Sequence, residues 1–157
     1  MALTKDQIKT TYPLPVYNYR VEINGTTVGF SEVSGLSIAY ETTSYAESPV
    51  GSGSPGPLRM HMPAQSKVVN IVLKKGVVPG VSIQTLYDWI HSIQTNRVDK
   101  KDIYVRLCDE EGKAVISWKV INAFPTKLDA PTFTASSNDA AVESIELMAD
   151  GILIEKA

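Results

Sequence analysis

The stretch that decides the fold is WKVINAFPTKLDAPTFTASSNDAAVESIELMADG, which runs from Trp118 to Gly151. Its beginning continues an apolar, β-branched run, Val115 to Ala123, and we expect Phe124-Pro125 to end this strand because proline has no N–H for a neighbouring strand. Ser-Ser-Asn-Asp at 136–139 predicts a chain reversal, after which Ala141 to Met148 resumes as a strand. The stretch predicts two strands joined by a long turn and contains no set of catalytic or metal-binding side chains.

The length and composition of the chain predict one globular domain spanning residues 1–157. A chain of 157 residues can bury roughly 70% of its unfolded surface in a single core. The mean hydropathy is -0.04 and no run of about 20 apolar residues occurs, so we expect no stable membrane insertion by the chain alone. The formal net charge of -2 disfavours sequence-specific nucleic-acid binding, which depends on clustered Lys and Arg.

The single cysteine and the first residues bear on where the protein is made. Cys108 has no partner for an internal disulfide or a cysteine-based zinc site, and this predicts synthesis in a reducing compartment. Residues 1–15 lack the basic head and apolar core of a signal peptide. We expect them to form an N-terminal arm that begins with a short helix or a flexible segment and ends in Pro13-Leu14-Pro15.

The rest of the chain reads mainly as strands. Polar and apolar residues alternate from Tyr17 to Ile23, and Asn24-Gly25 favours a type I′ hairpin turn into a return strand from Thr26 to Val33. Further strands are predicted at 36–45, 58–62, 67–75 and 103–108. Asp109 to Gly112 predicts a turn into the strand that begins at Ala114. The tally is about eight strands.

One helix is predicted, from Ile83 to about Thr95 with Ser82 as its N-cap. Five residues fall on one helical stripe and should pack on the sheet, with Trp89 near the edge of the stripe; they are Ile83, Leu86, Tyr87, Ile90 and Ile93. The fold class is therefore a mainly antiparallel β domain, closed or nearly closed, with one helix on its flank.

The sequence carries no enzyme, metal or cofactor signature. His61 and His91 have no Cys, Asp or Glu at ligand spacing, and the acidic residues 109–111 fit the polar tip of a hairpin better than a calcium loop. The glycine-rich segment 51–56 lacks the Lys-Ser or Lys-Thr and the following helix that a phosphate cradle requires. We therefore expect no catalytic, metal-binding or cofactor-binding residues.

Seven motifs in order carry a resemblance to a known family. They are YNYRVEI at 17–23, GFSEVSGL at 29–36, LKKGVV at 73–78, LYDWI at 86–90, KKDIYVRLCDEEG at 100–112, and WKVINAFPTKL and SSNDAAVESIELMADG within 118–151. Over nearly its whole length the chain resembles the T4-like phage tail-tube family, the inner-tube proteins of contractile injection systems. It is most similar to tube subunits of extracellular phage-tail-like particles, such as the antifeeding prophage and the Photorhabdus virulence cassettes.

The resemblance implies a fold and an assembly. Two packed antiparallel sheets would form a β-barrel or sandwich with one flanking α-helix, as in tail-tube and Hcp proteins. Subunits would close into homo-hexameric rings, which stack into a tube with sheath, baseplate and cap partners, and cargo or DNA would pass along the lumen when sheath contraction drives the tube through a target membrane. Synthesis would occur in the bacterial cytoplasm, followed by assembly into a phage tail or a phage-tail-like particle that can become extracellular.

The long Gly/Pro-rich loop at 46–57 is the candidate for contacting a neighbouring subunit or ring, because long loops inside compact domains are usually functional. The interface residues expected there are Ser48, Pro49, Val50, Gly51, Ser52, Gly53, Ser54, Pro55 and Gly56. Two alternatives remain at the level of the sequence. One is an Hcp-like secreted ring that carries effectors in type VI secretion, and the other is a monomeric β-barrel that binds a small ligand.

Overall fold

The computed structural model describes residues 2–51, 53 and 55–157. The strands are β1 Tyr19–Ile23, β2 Thr26–Val28, β3 Glu32–Ser34, β4 Tyr40–Glu47, β5 Leu58–Ser66, β6 Val69–Gly76, β7 Lys101–Cys108, β8 Ala114–Asp129, β9 Val142–Ala149 and β10 Gly151–Lys156. The helices are α1 Lys5–Thr11, α2 Pro79–Val81 and α3 Asp88–His91, and a π-helical segment, Ser82–Tyr87, joins the last two.

The predicted pair of strands in the last quarter forms a long hairpin. β9 pairs antiparallel with the second half of β8, from Phe124 opposite Met148 to Asp129 opposite Ser144. β10 continues in the same direction and pairs with the first half of β8. The loop at 130–141 closes the hairpin, and a turn in which the Ser137 N–H donates to Thr134 lies within it.

The expected end of the strand at Pro125 is wrong. β8 runs through Pro125, which is fully buried opposite Leu147, and the register shifts before Lys127. In the part of the chain that the structure describes, residues 124–129 pair with β9 alone, so their other edge is open. A proline is tolerated at such an edge and irregularity because no ladder partner needs its missing N–H.

β8 links two sheets. Its first half lies in a sheet ordered β2-β1-β7-β8-β10, and its second half in a sheet ordered β3-β6-β9-β8. Side chains from both sheets meet in one core, including Val105 and Val120 from the first and Ile71 and Leu147 from the second. This confirms two packed antiparallel sheets, but the described strands leave open edges and do not close a barrel.

The N-terminal part confirms the predicted hairpin and corrects its return strand. Asn24 and Gly25 have φ values of 51° and 84°, as a type I′ turn requires. The return strand ends at Val28, and the chain then crosses to the other sheet, where β3 pairs with β6. The predicted strand at 36–45 lies at Tyr40–Glu47, and the one at 58–62 extends to Ser66.

The observed helical segment differs from the predicted helix in where it begins and ends and in which face is buried. The segment begins at Pro79 and ends at His91, and Ser82 is a buried residue whose hydroxyl accepts from the N–H of Val78. The side chains in the core belong to Leu86 and Trp89. The predicted stripe residues Ile83, Tyr87 and Ile93 are instead exposed, because the buried residues Ser82, Leu86 and Trp89 form a neighbouring stripe at the same helical spacing.

Candidate assembly surfaces

The predicted interface loop is the tip of a hairpin that stands apart from the two sheets. β4 and β5 pair only with each other among the described strands, and every residue of both strands except Glu47 is exposed. At the tip, Val50 is 92% exposed, and the ring of Pro49 lies against the backbone of Gly56. Ser48, Gly51, Gly53, Pro55 and Gly56 are also exposed; Ser52 and Ser54 lie outside the described residues.

One face of this hairpin is apolar, which the sequence analysis missed. Tyr45 lies opposite Met60, and Leu58 and Met62 follow on the same face of β5. Their side chains are 42–52% exposed. The signal was present in the alternation of Leu58, Met60 and Met62, but that strand was expected to be short. An isolated two-stranded hairpin is only marginally stable in water, so this apolar face favours contact with another chain.

A second exposed feature is the free edge of β10. This strand pairs with β8 on one side, and no described strand pairs with its other side. Leu153 and Ile154 are 48% and 54% exposed there. An open edge with apolar side chains is a template for pairing with another strand.

The third feature is an apolar groove between the helical segment and the 130–141 loop. Tyr87 and Ile90 form one wall, Phe133 and Pro131 belong to the loop, and the cavity measures about 580 Å³. The side chain of Glu143 also lines the groove. Glu143 is 9% exposed, and its buried Oε1 atom has no hydrogen-bond partner among the described residues.

The outer face of the first sheet carries paired charges. Arg20 and Arg106 lie directly opposite each other in β1 and β7. Glu22 contacts both, with its carboxylate oxygens 3.4 Å from Arg20 Nε and 3.3 Å from Arg106 Nη2. Because like charges that face each other across a sheet repel, this shared carboxylate offsets the repulsion.

The N-terminal arm contains a helix that contacts the turn before β8. Thr4 and Gln7 cap α1 reciprocally, and none of the residues of the helix is buried. Lys9 Nζ lies 3.3 Å from Glu110 Oε1 and 3.7 Å from Asp109 Oδ2, and the hydrogen bond that Lys9 donates to Glu110 is the main cause of a raised Lys9 pKa. The expected turn at Asp109 is confirmed, since its Oδ1 accepts from the N–H groups of Glu111 and Lys113.

The two histidines considered as metal ligands lie in different elements of the structure. His61 lies in the exposed β5, and His91 stacks on Tyr87 with ring centroids 5.2 Å apart. No group of three or more His, Cys, Asp or Glu side chains at metal-binding distances occurs in the described ranges. Cys108 is buried. None of the described helices is both long and apolar enough to cross a membrane.

Comparison with known proteins gives one family and several solved structures. The family model described as "T4-like virus tail tube protein gp19" matches residues 15–153. No curated protein sequence matches the chain. A chain in the extended sheath-tube complex of PVC, an extracellular contractile injection system, is 43% identical, with a TM-score of 0.88 over 99% of this chain and 100% of that chain.

Two further structures are similar over most of the chain. A chain in the tube-terminating cap of the anti-feeding prophage is 43% identical, with a TM-score of 0.84 over 100% of both chains. A chain in the PVC sheath/tube terminator is 45% identical, with a TM-score of 0.81 over 92% of this chain and 97% of that chain. Hcp1 from Flavobacterium johnsoniae, at 16% identity and a TM-score of 0.50 over 88% of this chain and 95% of that chain, shares the fold alone.

Proposed function

The chain belongs to the T4-like virus tail tube family, and on this premise we propose that it is a structural subunit of the inner tube of an extracellular contractile injection particle. The observation that carries the proposal is the 43% identity, over 99% of this chain, to a chain of the PVC sheath-tube complex. Residues 1–157 would act as one tail-tube domain, with no catalysis and no cofactor. The tube would be a conduit for cargo, driven through a target membrane by contraction of a sheath.

The partners of the tube follow from the same relatives. Their structures are a sheath-tube complex, a sheath/tube terminator and a tube-terminating cap. We therefore propose that this chain forms hexameric rings, that the rings stack, and that the tube contacts a sheath, a cap and a baseplate. A subunit made in the bacterial cytoplasm would in this way become part of an extracellular particle.

The open edges of the sheets support a ring. β10 forms one edge of the first sheet and β2 the other, so a contact between β10 of one subunit and β2 of the next would be heterologous. Such contacts form a closed ring when successive subunits together complete a full rotation. Such pairing would also cover the apolar Leu153 and Ile154.

The exposed hairpin supports the stacking of rings. Its apolar face at Tyr45, Leu58, Met60 and Met62 would lie against an adjacent subunit, and the tip at residues 48–56 would complete the contact. A hairpin that contacts mainly solvent in one subunit gains its packing in the assembly.

Electron microscopy of the purified protein over a concentration series, with light scattering for mass, tests the proposal. Six-fold rings or hollow tubes are expected. A protein that stays monomeric at every concentration, and that also fails to extend tubes from assembled baseplates, would exclude the tube function and favour a ligand-binding domain.

Deletion of Gly51 to Gly56 tests the role of the hairpin tip. The deletion should leave a folded protein, because none of the described residues of the tip belongs to the core. Tube formation should be lost. The matched control is Ser136→Ala, in the exposed part of the other long loop, which should assemble normally. Normal tubes from the deletion would rule the role out.

A further inference from the structure

We infer that the apolar groove beside Glu143 binds the N-terminal helix α1 of a second copy of this chain, with the Lys5 ammonium group paired to the Glu143 carboxylate. The inference rests on the proposed function, because it assigns one contact between tube subunits. It names both sides of that contact, a groove at one end of the subunit and a basic, apolar helix at the other.

The groove has the composition of a binding site. Its walls are apolar and aromatic, with Tyr87 and Ile90 on one side and Phe133 on the other, and its volume of about 580 Å³ is that of a typical ligand cleft. Phe133 is 83% exposed and Tyr87 is 48% exposed, so the walls lie open to a partner. A group that fills the cleft would therefore need a largely apolar body.

Glu143 gives the groove its charge preference. Its carboxylate is buried and its Oε1 atom has no donor among the described residues. Lys75 lies opposite Glu143 in the β6–β9 pair, but its Nζ atom donates to the carbonyl oxygen of Gly76 at 2.8 Å. Leaving a buried carboxylate oxygen without a donor is costly, and a cationic group from outside would remove that cost.

The exposed face of α1 is complementary to this groove. Lys5, Ile8 and Tyr12 follow one another at spacings of three and four residues, which places them on one face of the helix. Ile8 is 38% exposed and Tyr12 is 54% exposed. Lys5 makes no ion pair within the described ranges, whereas Lys9, one turn further along the same side of the helix, is paired with Glu110. The aliphatic stem of a lysine can cross an apolar wall and place its charge at the far end.

The positions of the two surfaces require a second copy. Lys9 holds α1 at the turn that precedes β8, and the groove is built by the residues that follow the end of β8. β8 has 16 residues, which span on the order of 50 Å when the strand is extended. The Lys9 pair therefore keeps α1 at the opposite end of this strand from the groove of its own subunit. Complementary surfaces at opposite ends give a heterologous contact that repeats without limit, as stacked rings require.

A double-mutant cycle on assembly tests the pairing. The variants are Lys5→Ala, Glu143→Gln and the double variant, with Lys100→Ala, at an exposed lysine outside the proposed interfaces, as the control for loss of a surface charge. Each single variant should raise the protein concentration needed for tube formation roughly tenfold, the effect of losing one charge-assisted hydrogen bond. The double variant should be no worse than either single variant, because both remove the same contact.

Thermal unfolding of the dilute subunit separates assembly from folding. Glu143→Gln should not lower the melting temperature, because the Oε1 atom that it changes has no donor in the subunit. If this variant nevertheless fails to fold, Lys5→Ala carries the test, since Lys5 is exposed and removing its charge leaves the core intact. Lys5→Ala should then raise the assembly concentration while the melting temperature stays unchanged.

Three outcomes would overturn the inference. Additive effects, with the double variant roughly a hundredfold worse, would mean that Lys5 and Glu143 contact different groups. Normal assembly of both single variants would exclude the contact and leave the proposed tube function intact. Normal tubes that no longer bind sheath would assign the groove to the sheath instead. If the unmodified chain forms no tubes even from baseplates, both the inference and the proposed function fail.

Discussion

The phenolic hydroxyl of Tyr19 donates a hydrogen bond of 2.5 Å to the carbonyl oxygen of Phe30, which ties β1 to the crossing between the two sheets. Burial raises the pKa of Tyr19, and the nearby Glu32 carboxylate adds to the shift, so the hydroxyl keeps its proton well above neutral pH. Tyr19→Phe should lower the free energy of unfolding by about 1 kcal/mol, the net value of one such bond, as measured by urea unfolding.

The control for this change is Tyr17→Phe, at a side chain that is 82% exposed. That variant should stay within about 0.5 kcal/mol of the unmodified chain, as surface substitutions usually do. Equal losses from both variants would show that the Tyr19 bond does not hold the crossing.

Gly35 follows β3 with a φ of 87°, and its backbone packs against the carbonyl group of Asn70. Gly35→Ala should destabilise the domain strongly, since it adds both backbone strain and a collision with that carbonyl. Gly25→Ala is the matched control, because Gly25 has a φ of 84° and open space around it. Thermal unfolding should show a loss of about 1 kcal/mol for Gly25→Ala and clearly more for Gly35→Ala. Similar losses would mean that the contact with Asn70 is unimportant.

Asp109 should make stability depend on acid pH. The N–H groups of Lys113 and Glu111 donate to its carboxylate, with the Lys113 bond the larger cause, and they hold its pKa below the ordinary value. Because the folded-state pKa is lowered, the charge stabilises the fold above the unfolded pKa of about 3.9, and the contribution is lost as the pH falls through the folded value.

Asp109→Asn should therefore lower the melting temperature at pH 7 and have a smaller effect near pH 3, where the Asp109 carboxyl group of the unfolded chain is mostly protonated. Glu110→Gln is the control, because the Glu110 side chain is 69% exposed and only pairs with Lys9. A difference in melting temperature that is the same at both pH values would contradict a role for the Asp109 charge.

The parts of the fold that were predicted from the sequence depend on local chemistry. Asn24-Gly25 determines its own turn through the positive φ values that both residues adopt, and the hairpin of β8 with β9 follows from apolar runs on both sides of a polar reversal. The packing of two sheets was predicted from the resemblance to the family, because no local sequence signal specifies it.

The errors have non-local causes. β8 continues through Pro125 because this part of the strand pairs only with β9, so the missing N–H leaves no neighbour without a donor. The number of neighbours that a strand has cannot be read from its own residues. The buried helical residues Ser82, Leu86 and Trp89 have ordinary helical spacing, so the predicted stripe had the right period but the wrong face, and the face that packs depends on the sheet beneath it. Glu143 was recognised as a strand residue, but its place in a groove depends on the loop at 130–141 and on the distant Tyr87.

Trp89 provides a direct test of which face of the helical segment is buried. Its indole nitrogen donates to the carbonyl oxygen of Asp99 at 2.7 Å, and the side chain is 4% exposed. Trp89→Ala should cost about 3–5 kcal/mol, as for other buried aromatic residues, whereas Ile83→Ala, at a side chain that is 54% exposed, should cost well under 1 kcal/mol. If the predicted stripe were the packed face, Ile83→Ala would be costly, so urea unfolding of the two variants shows which face of the helical segment packs on the sheet.

The free edge of β10 should control the closure of rings. Leu153→Lys adds a charge to an edge strand where the side chain is already 48% exposed, so folding of the subunit should change little. Pairing with a second strand would place that charge inside an intermolecular sheet, which charged edge residues are known to prevent. Leu153→Thr is the matched control, since threonine is uncharged and suits a strand.

Electron microscopy and light scattering at one protein concentration should show rings or tubes for Leu153→Thr and dispersed subunits for Leu153→Lys. Both variants should have similar melting temperatures when dilute, because the loss concerns the contact between subunits and not the core. Rings from Leu153→Lys would show that the ring closes through another surface, and loss of rings from both variants would mean that the leucine side chain, and not the open backbone edge, makes the contact.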